Sequence, residues 1–428
     1  LARLRFRTRL PPPRSMSDLA PVRRGAAFGF IMATLLLDML AMAIVLPVLP
    51  KLVRGLVGGD VVLTAHVFGI FGAAWAAMQF VTAPILGALS DRYGRRPVIL
   101  VSCLGQAIDF AVMALAPDVA WLFVGRILSG ASSANIAAAN AYIADVTPAH
   151  RRAAAFGVSG VAAALGFVLG PALGGILGGV SLRLPFWFAA GLAMANFLYG
   201  LVALPESLSR RARTRLSWRG LNPLSALRFF WRPRIAAPAT VYALGTLALQ
   251  AVPSVLVLYV QDRYGWMPLQ IGLALAAAGV GFAVVGGLLV GPVVRRFGEV
   301  RALVIGLAGG AAGFLIFGFA SRSHIFWIGV PIFSLWGLTM PAVQGVMAHR
   351  VSASEQGRLQ GLLASLTGLT ALIGPLLFTT IYARSLGPGG DADVWTSGVP
   401  LMVASALLLG SVMPALFLRS KKAYIPKP

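Results

Sequence analysis

The chain has 428 residues, of which 58% are hydrophobic and 11% charged, with a mean hydropathy of +0.82. Soluble domains carry about 25% charged residues. A chain this long and this apolar cannot keep its side chains from water, which excludes a soluble enzyme, a disordered chain and a collagen-like chain and indicates a polytopic membrane protein. A net charge of +23 would suggest nucleic acid in a soluble protein. Here the basic residues sit in short loops between apolar runs, so they read as orientation signals and no nucleic-acid partner is expected.

Residues 1–25 are basic and contain prolines, and we expect a disordered cytoplasmic tail. The leading Leu points to a fragment or an unusual start, with Met16 as an internal candidate. The apolar run that follows is too long for a cleaved signal peptide, carries Asp38 and lacks a small-residue cleavage site. Twelve stretches have the length a helix needs to cross a bilayer, near 27–49, 64–86, 98–116, 120–143, 154–178, 185–204, 236–259, 270–293, 302–320, 324–348, 360–382 and 398–417. The longest connection, 205–235, is basic and separates two sets of six. The expected organisation is therefore an all-α membrane protein of 12 transmembrane helices in two pseudo-symmetric six-helix bundles, 26–204 and 236–418, with a cytoplasmic linker and a short tail at 419–428.

Basic residues test this layout. Of the 36 Lys and Arg, 29 fall in the termini, the linker and the 2–3, 4–5, 8–9 and 10–11 loops, all on one side, while six fall on the other and Arg126 lies inside a span. The asymmetry puts both termini and the linker in the cytoplasm; the membrane is expected to be the bacterial inner membrane. The halves also repeat at one offset. Gly87, Arg92, Gly94, Gly157, Gly170 and Pro171 match Gly291, Arg296, Gly298, Gly361, Gly374 and Pro375. Repeats of six spans are a transporter signature, with the substrate held between the halves.

The single cysteine, Cys103, permits no intrachain disulfide and no thiolate metal site, and the four histidines are scattered. No metal, cofactor or catalytic nucleophile–base pair is expected, and no phosphate-binding loop for ATP. The informative residues are ionisable ones in apolar runs. Of 13 acids only Asp38 and Asp109 lie well inside spans, and Arg126 is the one base there. Such a charge costs about 2.5–3.5 kcal/mol at a helix centre and faces a cavity or a partner. Burial disfavours a carboxylate's charge and a nearby guanidinium favours it, so an acid between the two can load and release a proton. Asp38 coupled to Arg126 is the first proton-carrier candidate and Asp109 the second; a static structural pair is the alternative. Substrate contacts are sought among polar residues on apolar spans, Gln79, Asn135, Asn140, Gln250 and Gln344, each of which could equally make an interhelical hydrogen bond. Trp75, Phe80, Tyr242 and Trp336 are candidate walls.

The 2–3 loop reads Gly87-Ala-Leu-Ser-Asp91-Arg92-Tyr-Gly94-Arg95-Arg96-Pro97, with a weaker copy at Gly291–Glu299. It resembles the signature loop of the major facilitator superfamily. The resemblance implies a cytoplasmic latch, in which Asp91 faces the N-terminal end of span 11 and Arg95 pairs with Asp145; a solvated helix-end charge is the other reading of Asp145. Span 5 carries Gly157, Gly166, Gly170-Pro171, Gly174 and Gly175. That pattern is similar to the one shared by antiporters of the superfamily, which implies efflux more than uptake; close helix packing at small residues is its physical content.

Span 1, Leu37-Asp38 through Pro47-Val-Leu-Pro50, looks like the opening of the tetracycline/proton antiporters, as do Tyr142-Ile-Ala-Asp145, Asp262-Arg-Tyr-Gly-Trp266 and Pro341-Ala-Val-Gln344. The resemblance runs from about residue 27 to about 385. It implies proton-coupled export of an amphiphilic, tetracycline-like drug, which such exporters take as a magnesium chelate, by a monomeric carrier. Two places depart from the family. Span 9 reads Gly306-Leu-Ala-Gly-Gly-Ala-Ala-Gly313 without the family's acid, and span 4 has Ser132, Ser133 and Asn135 in place of a Gly/Ala/Thr run. Proton-coupled uptake of a metabolite on the same fold is the competing reading.

Overall fold

A computed structural model describes residues 21–132, 135–148, 151–208, 223–352, 355–386 and 396–418. Most of the expected N-terminal tail, the C-terminal tail and linker residues 209–222 therefore lie outside the described residues. Helix dominates, and no strand occurs among the described residues.

Span 1 comprises Pro21–Ile44 and Leu49–Leu56, bent by 41° at the break. Pro47 and Pro50 explain the break: neither offers a backbone N–H, and Pro50 sits in the first turn of the second piece, where none is needed. Val61–Tyr93 is span 2 and Arg95–Leu115 span 3. Val119–Ser132 and Asn135–Val146 are the described parts of span 4. Arg152–Val180 and Leu184–Ala203 are spans 5 and 6. The second half repeats the series with Ala236–Tyr264, Pro268–Phe297, Glu299–Phe319, Ser323–Ala348, Gln356–Ser385 and Val399–Phe417 as spans 7 to 12. Ten of these helices are long and apolar enough to cross a membrane and the bent pair makes an eleventh. Span 4 falls short of that measure because it is described as two pieces around residues 133–134.

Within spans 7 and 8 the helix widens to π geometry, at Val252–Leu256 and Val285–Leu289. Pro253 removes one donor from the first, and the Gly286-Gly287 pair loosens the second. The outward faces are apolar. Val202, Val180 and Leu288 are 90%, 79% and 69% exposed, as lipid contact requires.

In the first half span 1 packs on spans 5 and 6, and span 3 on spans 4 and 6; in the second, span 9 packs on spans 10 and 12, and span 7 on spans 11 and 12. Spans 2 and 11, and spans 5 and 8, join the halves. The second half is filled by rings. Phe282, Phe314, Phe333 and Trp336 stack at 5.0–6.2 Å, and Phe317 lies 4.3 Å from Phe326. Trp336 is 3% exposed within this cluster, so it is a core residue and not a cavity wall.

Small residues let the halves meet. A Cβ at Gly175 would stand 2.6 Å from the Pro268 carbonyl, and one at Gly72 2.8 Å from Pro375. Two polar links reinforce the same end: Arg54 pairs with Asp262 at 2.5 Å, and Lys51 reaches the Met267 sulfur at 3.8 Å. Tyr382 donates to the second Asp262 oxygen at 2.7 Å. These contacts all lie away from the 2–3 loop, so the molecule is closed at the end opposite that loop.

Candidate functional site

Span 5 seats span 1. A Cβ at Gly170 would stand 2.6 Å from that of Ala43 and 2.8 Å from the Leu40 carbonyl, and Gly166 and Gly174 lie as closely on Leu36 and Ile44. Only residues without a side chain allow this approach. Gly157 meets nothing within 4 Å, so the packing role covers Gly166, Gly170, Gly174 and Gly175 but not Gly157. Pro171 lies inside span 5, its carbonyl beside Gly272 of span 8.

Seated there, Asp38 is 6% exposed and faces a recess of about 50 Å³. Trp75 and Gln79 of span 2, Gln106 and Phe110 of span 3, and Arg126 and Ser129 of span 4 complete the polar and aromatic wall, with Met39 and Met42 beside Asp38. Four spans of the first half thus bring an acid, a base, two amides and a hydroxyl to one recess. Gln106 and Ser129 escaped the sequence reading. For Ser129 the spacing was a signal, since it follows Arg126 by three residues on the same helix face.

Asp109 does not line the recess. It is fully buried, with Arg126 and Ser129 as the polar groups that act on its carboxylate, and it presses on Gly125, where a Cβ would stand 3.2 Å from its Oδ1. Arg126 acts on it electrostatically and directs Nη2 to the Met113 sulfur at 3.4 Å, while its Nε has no hydrogen-bond partner. Arg126 therefore belongs both to the recess that Asp38 faces and to the buried neighbourhood of Asp109.

Asn140, Gln250 and Gln344 do not line this recess. Gln250 of span 7 packs on Gly374 of span 11, and Gln344 is exposed on span 10. Asn140 is half-buried on span 4, and the Asn135 side chain lies outside the described residues. Phe80 packs on Gly368, and the Tyr242 hydroxyl meets Thr367 Oγ1 at 2.9 Å. Gly306, Gly309, Gly310 and Gly313 of span 9 are buried against spans 10 and 12, away from the recess.

At the 2–3 loop, Gly94 has φ +112° and its repeat counterpart Gly298 +81°; both turn one helix into the next with a geometry L side chains resist. Arg95 pairs with Asp91 at 2.5 Å and with Asp145 at 3.2 Å, and donates to Ser90 Oγ at 3.1 Å. Asp91 stays within this half: among the described residues it makes no contact with the start of span 11, where the resemblance implies it. Arg96 donates to the Leu201 carbonyl at 2.7 Å, Arg92 lies over the Tyr93 ring, and a Cβ at Gly87 would meet open space. Glu206, which the sequence reading passed over, accepts from the Arg95 N–H at 2.9 Å at the start of span 3, and Ser207 donates to Asp145 at 3.1 Å.

The chain matches the family described as Major Facilitator Superfamily over residues 31–340 and 239–428. The tetracycline resistance protein of class C from Escherichia coli is 41% identical over 390 residues, which cover 90% of this chain and 95% of the relative. The class G protein from Vibrio anguillarum is 39% identical, covering 85% and 92%. Among solved structures, the human organic anion transporter MFSD10 (TETRAN) superimposes with a TM-score of 0.67 at 26% identity, covering 92% of this chain and 99% of that one.

Proposed function

This chain belongs to the Major Facilitator Superfamily, and from that premise we propose that it exports an amphiphilic, tetracycline-like drug in exchange for protons. The observation that carries the reading is the recess where Asp38 and Arg126 share one wall with Gln79, Gln106 and Ser129. An ionised Asp38 attracts a cationic group of the cargo, such as a drug–magnesium chelate; a proton on Asp38 removes that attraction. Trp75, Phe110, Met39 and Met42 supply apolar contact for the cargo's ring system.

Closure at the end opposite the 2–3 loop supports an inward-facing carrier if that loop is cytoplasmic, which the excess of Lys and Arg on its side favours. Both termini then lie in the cytoplasm and the protein sits in the bacterial inner membrane. It works as a monomeric carrier and not as an enzyme, without a resident cofactor. One proton moving inward supplies about 2.3 kcal/mol per 100 mV, enough to drive cargo outward by rocking one half against the other.

The test is proton release on drug addition to purified protein in lightly buffered detergent, with a panel holding tetracycline plus magnesium and several cationic and neutral drugs. Release by the wild type that is lost in Asp38→Asn is the expected result and identifies the cargo. No release by any drug that demonstrably binds refutes exchange and leaves metabolite uptake with the proton.

A further inference from the structure

A second cleft, of about 300 Å³, lies at the 2–3 loop end of the second half, unrelated to the Asp38 recess. Arg232 and Arg234 of the linker's end, Arg350 after span 10 and Glu355 before span 11 supply its charged lining. Glu355 is already engaged: Arg232 donates to one of its oxygens and Ser352 to the other, and the Arg232 hydrogen bond leads the causes that hold its carboxyl below the ordinary range. Arg350 differs. Its Nη1 and Nη2 donate at 3.2 Å to the carbonyls of Arg234 and Leu418, and no carboxylate contacts it among the described residues. Burial pushes its guanidinium pKa down, the mark of a cation removed from water without an anion to answer it. Carbonyl dipoles orient such a group but leave its charge in place. The lining thus carries three arginines and one glutamate, and that glutamate is paired with Arg232.

The cleft's place in the fold says what meets it. Span 7 begins at Ala236, span 10 ends at Ala348, span 11 begins at Gln356 and span 12 ends at Phe417, so the arginines stand where the apolar part of the helices stops. The short 3₁₀ helix Pro223–Trp231 leads into it, burying Phe229 under the Arg232 guanidinium, 4.7 Å from the ring centroid, while Trp231 is 79% exposed. An exposed Trp beside exposed arginines at a helix-end level marks the headgroup layer of a bilayer.

We infer that this cleft binds the phosphate of an anionic phospholipid headgroup, held by the guanidinium groups of Arg232, Arg234 and Arg350. Guanidinium donors match phosphate oxygens two at a time, and basic pockets between spans at the cytoplasmic surface suit such headgroups. The occupant tethers the linker's end to spans 10 and 12 through Arg350.

The experiment measures lipid retained by the full-length protein, released from mixed phosphatidylglycerol and phosphatidylcholine nanodiscs, by native mass spectrometry. The wild type should retain phosphatidylglycerol in preference, and R232Q/R234Q should lose about thirtyfold in that preference. R234Q and R228Q each remove one exposed arginine from the same segment, but only Arg234 lines the cleft. A larger loss in R234Q than in R228Q supports a built site; equal losses, or none, overturn it in favour of diffuse attraction to the membrane surface. A last arm adds millimolar inorganic phosphate. Retained lipid left in place supports the headgroup assignment, and displacement with the same dependence on Arg234 overturns it in favour of a soluble phosphate ligand.

Discussion

Asp109 and Arg126 are coupled across spans 3 and 4. Asp109 is fully buried, and Arg126 is the cation that acts on it, with Ser129 beside them. Removing one partner leaves the other charge buried without its counter-charge, which destabilises the fold. We expect R126Q to lower the thermal inactivation midpoint of the purified protein sharply, and D109N/R126Q to recover part of the loss. If the double variant is no better than R126Q, the two residues are not coupled. That the three ionisable residues matter was legible in the sequence, since charge in an apolar run is conspicuous. That Asp38 faces a recess while Asp109 lies behind its wall was not. The distinction follows from the rotation of spans 1 and 3 about their axes, which packing sets and composition does not.

At the scale of elements, the glycines of span 5 do different jobs. Gly166, Gly170 and Gly174 carry the contact with span 1, Gly175 meets the start of span 8 in the other half, and Gly157 meets nothing. A methyl group forced into such a contact costs about 1–3 kcal/mol. We therefore expect G170A to destabilise the first half itself, read as faster thermal inactivation. G175A should leave that half intact but disfavour closure between spans 5 and 8. G157A should be silent for stability in this state, and a large loss of stability there would contradict the assignment. The spacing of these glycines was plain in the sequence; which neighbour each one meets required the helices to be placed. The bend in span 1 follows a local rule, since Pro47 and Pro50 forbid a continuous helix.

For the whole molecule, the question is which end is closed. Arg54 and Asp262 come from different halves, and Asp262 is nearly buried with Tyr382 on its second oxygen. The Arg54 side chain is 36% exposed, so the pair is worth about 1 kcal/mol, or roughly fivefold in an equilibrium. We expect R54Q to shift the population by that factor towards opening at this end. The check is labelling of M42C, which lies in the recess, with an impermeant thiol reagent added from each side of sealed vesicles. The native Cys103 is fully buried and gives little background. Labelling from the Arg54 side should rise in R54Q; unchanged labelling would show that the pair does not hold the closed end.

Class, span boundaries, the repeat and the charged residues within spans are properties of the chain read in order. They follow from hydropathy and helix geometry over some 20 residues at a time, so the sequence alone determined them. The same is true of the 2–3 loop, where Gly94 and its repeat Gly298 make the turn. The tertiary structure alone decided what depends on residues far apart in the chain meeting: that Asp38, Gln79, Gln106 and Arg126 share one recess while Gln250 and Gln344 do not, that Asp91 stays with Arg95 and away from span 11, and that Arg54 finds Asp262 at the closed end. The physical reason lies in the fold's own function. A carrier that alternates between two packings cannot write one of them into local sequence, because each local element must serve both.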